Sequence, residues 1–368
     1  MKTFEYGDNR IGSREVAMMI SSIMIGVGIL TLPNQLAKHI NSSDGWISIA
    51  GAGLIAAACG LVICRLTSRF QGDTFHRYTE RITARPVAIL VSAVYGVYFL
   101  LYLSFAIRSI ARISKMYLFD NTPVSFISVA FLLVVVYAVF GTKAALLRLN
   151  TMFLPIVLLI SVIVMLFAIQ LADIGNLKPF LITRPTELLS GTKDATYALL
   201  GFEILLFQAP LLRPAVRTEK AMLIGVAIPV VLYLLTYLYS IAIFTREGTA
   251  QIIYPTVEIA KEVRVPGQFF ERMESVFFTV WIMTIFNSSC MAMEASVSCW
   301  RAIFAGLNQR TCIWIMSPVS FTIGMLPQNV SQYNKLGSAV SYIGYGTAAI
   351  IPIVLLATAR LKGGSRVG

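Results

Sequence analysis

Apolar stretches recur along the whole chain, and each has the roughly 20 residues that a helix needs to cross a ~30 Å hydrocarbon layer. A backbone inside a membrane must satisfy its own hydrogen bonds, which leaves helices or a closed barrel. The stretches are continuous rather than alternating in polarity, a pattern that favours helices. Because 57% of the residues are hydrophobic and only 13% are charged, a soluble domain is excluded. The sequence predicts an all-α protein embedded in a lipid bilayer.

Ten spans are predicted, and no soluble domain separates them. The first is interpreted as a retained span, because it is too long for the apolar core of a signal peptide. Residues 1–368 are therefore expected to form a single transmembrane domain, with approximate repeats at 14–170 and 192–360. The predicted spans cover 14–38, 46–66, 86–107, 123–140, 149–170, 192–212, 219–245, 272–300, 312–327 and 335–360.

The distribution of basic residues predicts the orientation. Arg65, Arg69 and Arg77 lie in one loop, and Arg213 and Arg217 lie in another, on the side of the bilayer where the chain begins. The positive-inside rule therefore places both termini in the cytoplasm. The same distribution explains the net charge of +12, so nucleic acid is not an expected partner.

The sequence offers little raw material for an enzyme or a metal site. The five cysteines show no spacing typical of a disulfide framework or a metal site. The two histidines, His39 and His76, lie at predicted helix ends or in loops. No nucleophile–base pair or phosphate-binding loop stands out. We therefore expect no catalytic residue, no metal and no cofactor.

Two of the ten spans look interrupted in mid-membrane. Gly26, Gly28 and Pro33 lie close together in the first span, and the sixth contains Gly201 and then Pro210. Glycine and proline are unfavourable in a helix interior. The interruptions are five spans apart, as in an inverted five-plus-five repeat. Close helix packing is the alternative explanation for a Gly-x-Gly pair.

Paired broken helices predict a binding pocket. Backbone groups freed at a break are tolerated where they line a cavity, and half-helix N-termini favour a carboxylate. A small zwitterion such as an amino acid is the natural ligand. The candidate ligand-binding residues at the two breaks are Ile25, Gly26, Val27, Gly28, Leu200, Gly201, Phe202 and Glu203.

Glu203 is the only acidic residue near the middle of any predicted span. A charge at that depth is costly, so it should be paired, protonated or bound to freed backbone. Two interpretations stay open: a ligand-site or proton-linked group, and a structural brace that accepts N–H groups from the unwound first span. Glu294, late in the eighth span, is expected to form a structural ion pair nearer the membrane surface.

Side chains of the third and eighth spans are candidates to complete the pocket. Tyr98 and Tyr102 lie four residues apart, on one face of the third span. Thr284 and Asn287 are the candidates on the eighth. Alternatively, the two tyrosines serve only in helix packing, and Thr284 and Asn287 form ordinary hydrogen bonds between helices.

A short helix is predicted between the seventh and eighth spans, within 246–271. Thr256 is placed to cap its N-terminus, and Glu258 lies in the first turn. The helix is expected to lie at the outer surface.

Several motifs carry a family resemblance: IGVGILTLP at 25–33, DGWI at 44–47, GFE at 201–203 with Pro210, YPTVEIA at 254–260 and PGQFFER at 266–272. With them the chain resembles the B subunits (GerAB-type) of the nutrient germinant receptors of endospore-forming bacteria. Those subunits belong to the amino acid–polyamine–organocation transporter superfamily. The last two motifs are the most specific, because ordinary transporters of this fold need not contain them.

The resemblance implies a LeuT-like fold of ten helices, in which helices one and six are partly unwound around a central pocket facing helices three and eight. It also implies a receptor complex with A and C subunits, located in the inner membrane of the endospore, where a small nutrient triggers germination. The predicted fifth span has no charged residue, so it lacks the lysine that replaces a sodium ion in some proton-coupled relatives. The favoured function is therefore nutrient sensing, and an ion-coupled amino acid transporter (permease) is the alternative.

Overall fold

The computed structural model describes residues 10–213, 216–263 and 273–362, and these ranges are almost entirely helical. The first half of the chain contains α1 (Ser13–Met24), α2 (Gly28–His39), α3 (Gly45–Arg69), α4 (Phe75–Ile82), α5 (Arg85–Tyr117), α6 (Val124–Val139) and α7 (Lys143–Ala168). The second half contains α8 (Pro185–Ala198), α9 (Leu205–Gln208), α10 (Thr218–Gln251), α11 (Pro255–Glu262), α12 (Met273–Ile303), α13 (Gln309–Met325), α14 (Val330–Tyr345) and α15 (Ile351–Leu361).

The described helices group into ten units that match the ten predicted traverses, and their all-helical arrangement confirms the predicted fold class. Within the described ranges, α3, α5, α7, α10, α12 and the continuous α14–α15 are long and apolar enough to span it. The seventh such unit is α1 with α2, bent by 50° at its break. The remaining traverses are shorter: α6, the interrupted α8–α9 segment and α13. We call the side where α1 begins the N-face and the side where α2 ends the far face.

Helix boundaries follow local signals in the sequence. Thr142, Asn308 and Asn329 cap α7, α13 and α14, each accepting a hydrogen bond from an N–H three residues later. Pro185 occupies the first position of α8, where its missing N–H has no cost. The division into repeats at 14–170 and 192–360 stays a prediction.

Large apolar side chains cover the outside of the bundle. Leu54, Phe126, Met152 and Trp314, on α3, α6, α7 and α13, have exposed fractions between 61% and 74%. Such a surface would be an aggregation liability in water, but it is the ordinary exterior of a protein surrounded by lipid tails. The chain is therefore a multi-pass membrane protein.

Small residues let the spans approach closely. A Cβ atom on Gly96 of α5 would lie 3.0 Å from Trp300 Nε1 on α12. A Cβ atom on Gly324 of α13 would lie 2.8 Å from the carbonyl oxygen of Ser104 on α5. Glycine at these positions brings α12 and α13 against α5, as is usual for helix packing in membranes.

A buried carboxylate organises the far-face loops. Asp44, just before α3, accepts hydrogen bonds from the N–H groups of Leu181, Ile182 and Thr183, at 2.7, 3.0 and 3.1 Å. The Thr183 hydroxyl adds a fourth, at 2.8 Å. The DGWI motif thus anchors the connection between α7 and α8. Burial alone would raise the pKa of Asp44, but these hydrogen bonds, led by that from Leu181, lower it below its ordinary value.

The short helix α11 exists as predicted, but its capping differs. Its N-cap is Tyr254, and Pro255 is its first residue. The Thr256 hydroxyl instead donates to the carbonyl oxygen of Ile29 on α2, at 2.8 Å. The expectation of an N-cap at Thr256 is therefore wrong. The helix packs on α2 through buried residues. The motif at 266–272 lies outside the described residues.

Replacing Asp44 with Asn should lower the apparent melting temperature at pH 7, because an amide cannot accept all four hydrogen bonds. We expect a loss of roughly 2 kcal/mol, measured by thermal unfolding in detergent. The folded-state pKa lies below the unfolded value near 3.9. The stabilisation is therefore complete above the unfolded value and is lost as the pH falls through the folded one. The difference between wild type and variant should shrink below about pH 4.

The matched control is Asp120→Asn, which changes an exposed carboxylate between α5 and α6. It should unfold like wild type at both pH values. Equal melting temperatures for Asp44→Asn and wild type at pH 7 would contradict the anchoring role.

Candidate functional site

The first span is broken between Met24, where α1 ends, and Gly28, where α2 begins. A helix end leaves its last carbonyl groups without intrahelical partners. Here, side chains of three other helices supply the donors. The bonds join Ser288 Oγ to Ser22 O (3.1 Å), Tyr102 OH to Ile23 O (3.4 Å), Tyr233 OH to Met24 O (3.1 Å) and Trp281 Nε1 to Gly26 O (3.3 Å).

Tyr233 of α10 connects the two breaks. Its hydroxyl lies 3.1 Å from Met24 O at the end of α1 and 3.1 Å from Ala198 O at the end of α8. Gly28 stands beside this junction. A Cβ atom there would lie 2.6 Å from the Tyr233 hydroxyl and 3.1 Å from Ala198 Cα. The second glycine of the Gly-x-Gly motif is therefore required for close approach.

The sixth span breaks at Gly201, whose φ of +120° is unfavourable for any residue with a side chain. Glu203 follows in a short 3₁₀ turn and is fully buried. Its Oε1 accepts a hydrogen bond from Tyr98 OH at 2.6 Å, and its Oε2 accepts one from the Gly201 N–H at 2.9 Å. This geometry favours the brace, although the N–H group that it holds belongs to its own segment rather than to the first span.

A cavity of about 500 Å³ runs from the first break to the far face. Its size is typical of small-molecule sites. Six predicted site residues line it: Gly26, Val27, Gly28, Tyr98, Tyr102 and Leu200. The N-terminus of α2 begins here, and the first N–H groups of a helix have no intrahelical partners. The deep end can therefore offer N–H donors and a positive helix dipole to an anionic group.

The other six predicted residues lie behind the cavity wall: Ile25, Gly201, Phe202, Glu203, Thr284 and Asn287. Thr284 and Asn287 belong to α12, the helix whose Ser288 and Trp281 cap the first break. Thr284 Oγ1 and Asn287 Nδ2 are buried and have no hydrogen-bond partner among the described residues.

The tenth span forms a wall that the sequence did not predict. Gly337, Val340 and Ser341 of α14 line the cavity, as does Tyr197 of α8. The signal that could have identified this wall is the spacing of small residues. Gly337 and Ser341 lie one turn apart, and Gly344 nearly another turn on. A Cβ atom on Gly344 would lie 2.5 Å from Leu200 Cδ1.

The far-face mouth of the cavity is polar. His39 of α2 and Asp194 of α8 are in hydrogen-bond contact across it, with 2.7 Å between Nδ1 and Oδ2. Tyr254, beside α11, also lines the cavity. Its burial raises the pKa of its hydroxyl, and the charge of Arg112 opposes that rise. Polar groups from four helices and the α11 segment thus surround the entrance.

The N-face side is closed by hydrogen bonds. The Ile11 N–H donates to Leu211 O at 2.8 Å, and the Arg213 N–H donates to Ile11 O at 3.1 Å. These bonds fasten the segment before α1 to the end of the sixth span.

An ion pair of the buried Glu294 with a partly exposed lysine reinforces this closure, as expected for Glu294. Its carboxylate pairs with Lys143, the first residue of α7, and accepts a hydrogen bond from Gln208 Nε2 at 2.8 Å. Helix five thus begins before the predicted 149–170 and carries a lysine at its N-face end.

Sequence comparison identifies relatives over almost the whole chain. A family described as "Spore germination protein" matches residues 10–333. The spore germination protein GerLB of Bacillus cereus is 36% identical over 364 residues, which cover 98% of this chain and 97% of GerLB. The spore germination protein YndE of Bacillus subtilis is 26% identical, covering 96% and 97% of the two chains.

Two solved transporters share the fold. Mhp1, a nucleobase-cation-symport-1 family transporter in a closed conformation with bromovinylhydantoin bound, aligns with a TM-score of 0.71 and 13% identity over 98% of this chain and 80% of its own. MhsT in complex with L-phenylalanine aligns with a TM-score of 0.69 and 14% identity over 94% and 88%. The fold is therefore LeuT-like, with its first and sixth helices interrupted.

Replacing Tyr233 with Phe should destabilise the protein, because two buried carbonyl groups lose their shared donor. We expect a loss of about 1–3 kcal/mol, seen as a lower apparent melting temperature in detergent. The control is Tyr137→Phe on α6, since that side chain is 82% exposed. An unchanged melting temperature for Tyr233→Phe would show that the hydroxyl does not hold the breaks together.

Proposed function

Because the chain belongs to the family of spore germination proteins, we propose that it is the ligand-binding membrane subunit of a nutrient (germinant) receptor. The observation that carries the proposal is the meeting of one cavity with the first helix break, at Gly26, Val27 and Gly28. A scaffold built only for packing would not need to keep that break accessible. The family and the fold both point to a transporter-like protein rather than an enzyme.

The proposed ligand is an amino acid or a similarly small zwitterion. Its carboxylate would meet the N-terminus of α2 at Gly26–Gly28, and its side chain would lie among Tyr98, Tyr102 and Leu200. The fold can hold such a molecule, since MhsT was solved with L-phenylalanine. Ile25, Gly201, Phe202, Glu203, Thr284 and Asn287 would shape the pocket from behind.

Ligand binding would act through α2, which is attached to the far-face helices. Asn34 Nδ2 donates to the carbonyl oxygens of Thr249, Ala250 and Ile252 near the end of α10, at 3.1, 2.9 and 2.6 Å. The bond from Thr256 to Ile29 attaches α11. A ligand that favours one position of α2 would therefore also shift α11. Tighter binding to one conformation than to another is what moves the equilibrium.

The proposed setting is the inner membrane of the endospore, with A and C subunits as partners that detect this shift. Both termini would be cytoplasmic, which makes the N-face the inner side and opens the cavity outward. Support comes from the basic residues that α3 and α4 place at the N-face, including Arg65, Arg69 and Arg77. Such an excess is the usual mark of a cytoplasmic surface.

Replacing Gly26 with Ala should impair the germinant response without loss of the subunit. A Cβ atom there would lie 2.9 Å from the Tyr102 hydroxyl, inside the cavity. In spores where the variant replaces the wild-type chain, we expect the half-maximal germinant concentration to rise at least about tenfold. Gly201→Ala should act similarly, because Ala is strained at a φ of +120°.

The matched control is Gly51→Ala on α3, where the added Cβ would make only ordinary contacts at 3.6 Å. Subunit levels are checked by immunoblot in all strains. Wild-type responses in both Gly26→Ala and Gly201→Ala spores would exclude the breaks as the ligand site.

The alternative function is an ion-coupled amino acid transporter, favoured by the same LeuT-like fold. It is tested with the purified chain in liposomes under proton and sodium gradients. A sensor should bind the germinant without accumulating labelled ligand, because the Lys143–Glu294 pair and the Ile11 hydrogen bonds keep the N-face closed. Gradient-driven accumulation that Gly26→Ala abolishes would instead establish transport.

A further inference from the structure

The far-face mouth of the cavity is lined by three cationic side chains that have no acidic partner. They are Lys38 at the end of α2, Arg112 on α5 and Lys193 on α8. In the part of the chain that the structure describes, no ion pair joins any of them to a carboxylate. Asp194 is the one acidic residue in the described lining, and its carboxylate is already hydrogen-bonded to His39. The entrance therefore has an unbalanced positive charge.

Two of these cations are positioned by aromatic rings of α14. The Arg112 guanidinium lies 5.2 Å from the centre of the Tyr333 ring, and Lys193 Nζ lies 5.2 Å from that of Tyr342. A ring face attracts a cation, but it leaves most N–H donors free for an anion. Asn334 also lines the cavity.

The mouth and the deep end are separate places. Lys38 follows Gly28 by ten residues on α2, a rise of about 15 Å along the helix axis. A single amino acid is much shorter than this, because one residue of an extended chain spans only about 3.5 Å. One small ligand at the break therefore cannot also occupy the mouth.

We propose that Lys38, Arg112 and Lys193 form a recruiting subsite for small carboxylate anions, distinct from the pocket at the helix breaks. The cations attract the carboxylate over a distance set by ionic strength. Arginine and lysine then supply charge-assisted hydrogen bonds. A ligand with excess positive charge, such as a polyamine, is repelled. The passage of the anion onward to the break rests on the proposed function, whereas its binding at the mouth does not.

Anion binding also reduces the repulsion among the three cations. Lys38 and Lys193 belong to α2 and α8, the far-face halves of the two broken helices, and Arg112 belongs to the intact α5. Their like charges repel one another when the mouth is empty of anions. A carboxylate bound at the mouth reduces that repulsion.

The test uses the purified full-length chain in detergent at low ionic strength, with succinate as the probe. Succinamide, its uncharged diamide, is the first comparison, and inorganic phosphate is the second. Succinate should raise the melting temperature of wild type, and added salt should weaken the effect. In a K38Q/R112Q/K193Q variant, the apparent affinity should fall at least about tenfold.

The matched control is Lys115→Gln, which removes a cation from α5 outside the cavity lining. It should bind succinate like wild type. Lys38→Gln alone should weaken binding several-fold, and its exposed side chain makes unfolding an inadequate explanation. K38R/R112K/K193R keeps all three charges and should keep succinate binding.

Three results would overturn the subsite: unchanged succinate binding in the triple Gln variant, equal shifts with succinamide, or tighter binding of phosphate than of succinate. Gly26→Ala separates this inference from the proposed function, because succinate binding at the mouth should survive that change. If Gly26→Ala spores respond normally, the proposal of a ligand site at the helix breaks is rejected. The succinate titration then still tests whether the mouth binds anions.

Discussion

In a hydrocarbon layer, a carbonyl group without a hydrogen-bond donor costs several kcal/mol, and this constraint explains most of the centre of the molecule. Breaking the first and sixth spans frees carbonyl groups at the ends of α1 and α8. Tyr233 donates to one from each, at Met24 and Ala198. Tyr102, Trp281 and Ser288 supply the remaining described donors to the first break. The breaks are thus stabilised from α5, α10 and α12, which fixes how these helices pack around the cavity.

The fold could be predicted because its causes are local. Apolar length marks the spans, and Gly26, Gly28 and Gly201 mark the breaks. Only six of the twelve predicted site residues line the cavity. Thr284 and Asn287 lie on a helix that contacts the breaks on the side away from the cavity. The sequence does not indicate on which side of a break the cavity lies. Helix rotation decides this, and it depends on distant contacts such as that of Gly344 with Leu200.

Short-range rules also failed where tertiary contacts offered a better partner. Thr256 stands where an N-cap would be expected, yet its hydroxyl reaches Ile29 O on another helix. One of the two interpretations of Glu203 had it bind N–H groups of the first span, but its own segment turns back at Gly201 and offers an N–H group at 2.9 Å. In both cases residue type predicted a hydrogen bond correctly, whereas identifying the partner required the fold.

The two faces of the protein are closed to different extents, and this difference bears on sensing versus transport. At the N-face, opening would break the backbone bonds of Ile11 and separate the Lys143–Glu294 pair. Separating this pair is costly mainly on the side of Glu294, because that carboxylate is buried and would lose its cationic partner, whereas Lys143 is partly exposed. At the far face, the described polar contact between α2 and α8 is the exposed His39–Asp194 pair, which contributes little, although Gly191 of α8 also packs against Leu36 and Ile40. In the proposed receptor, ligand binding would therefore act at the far face, where the cavity opens, while these N-face contacts stay in place.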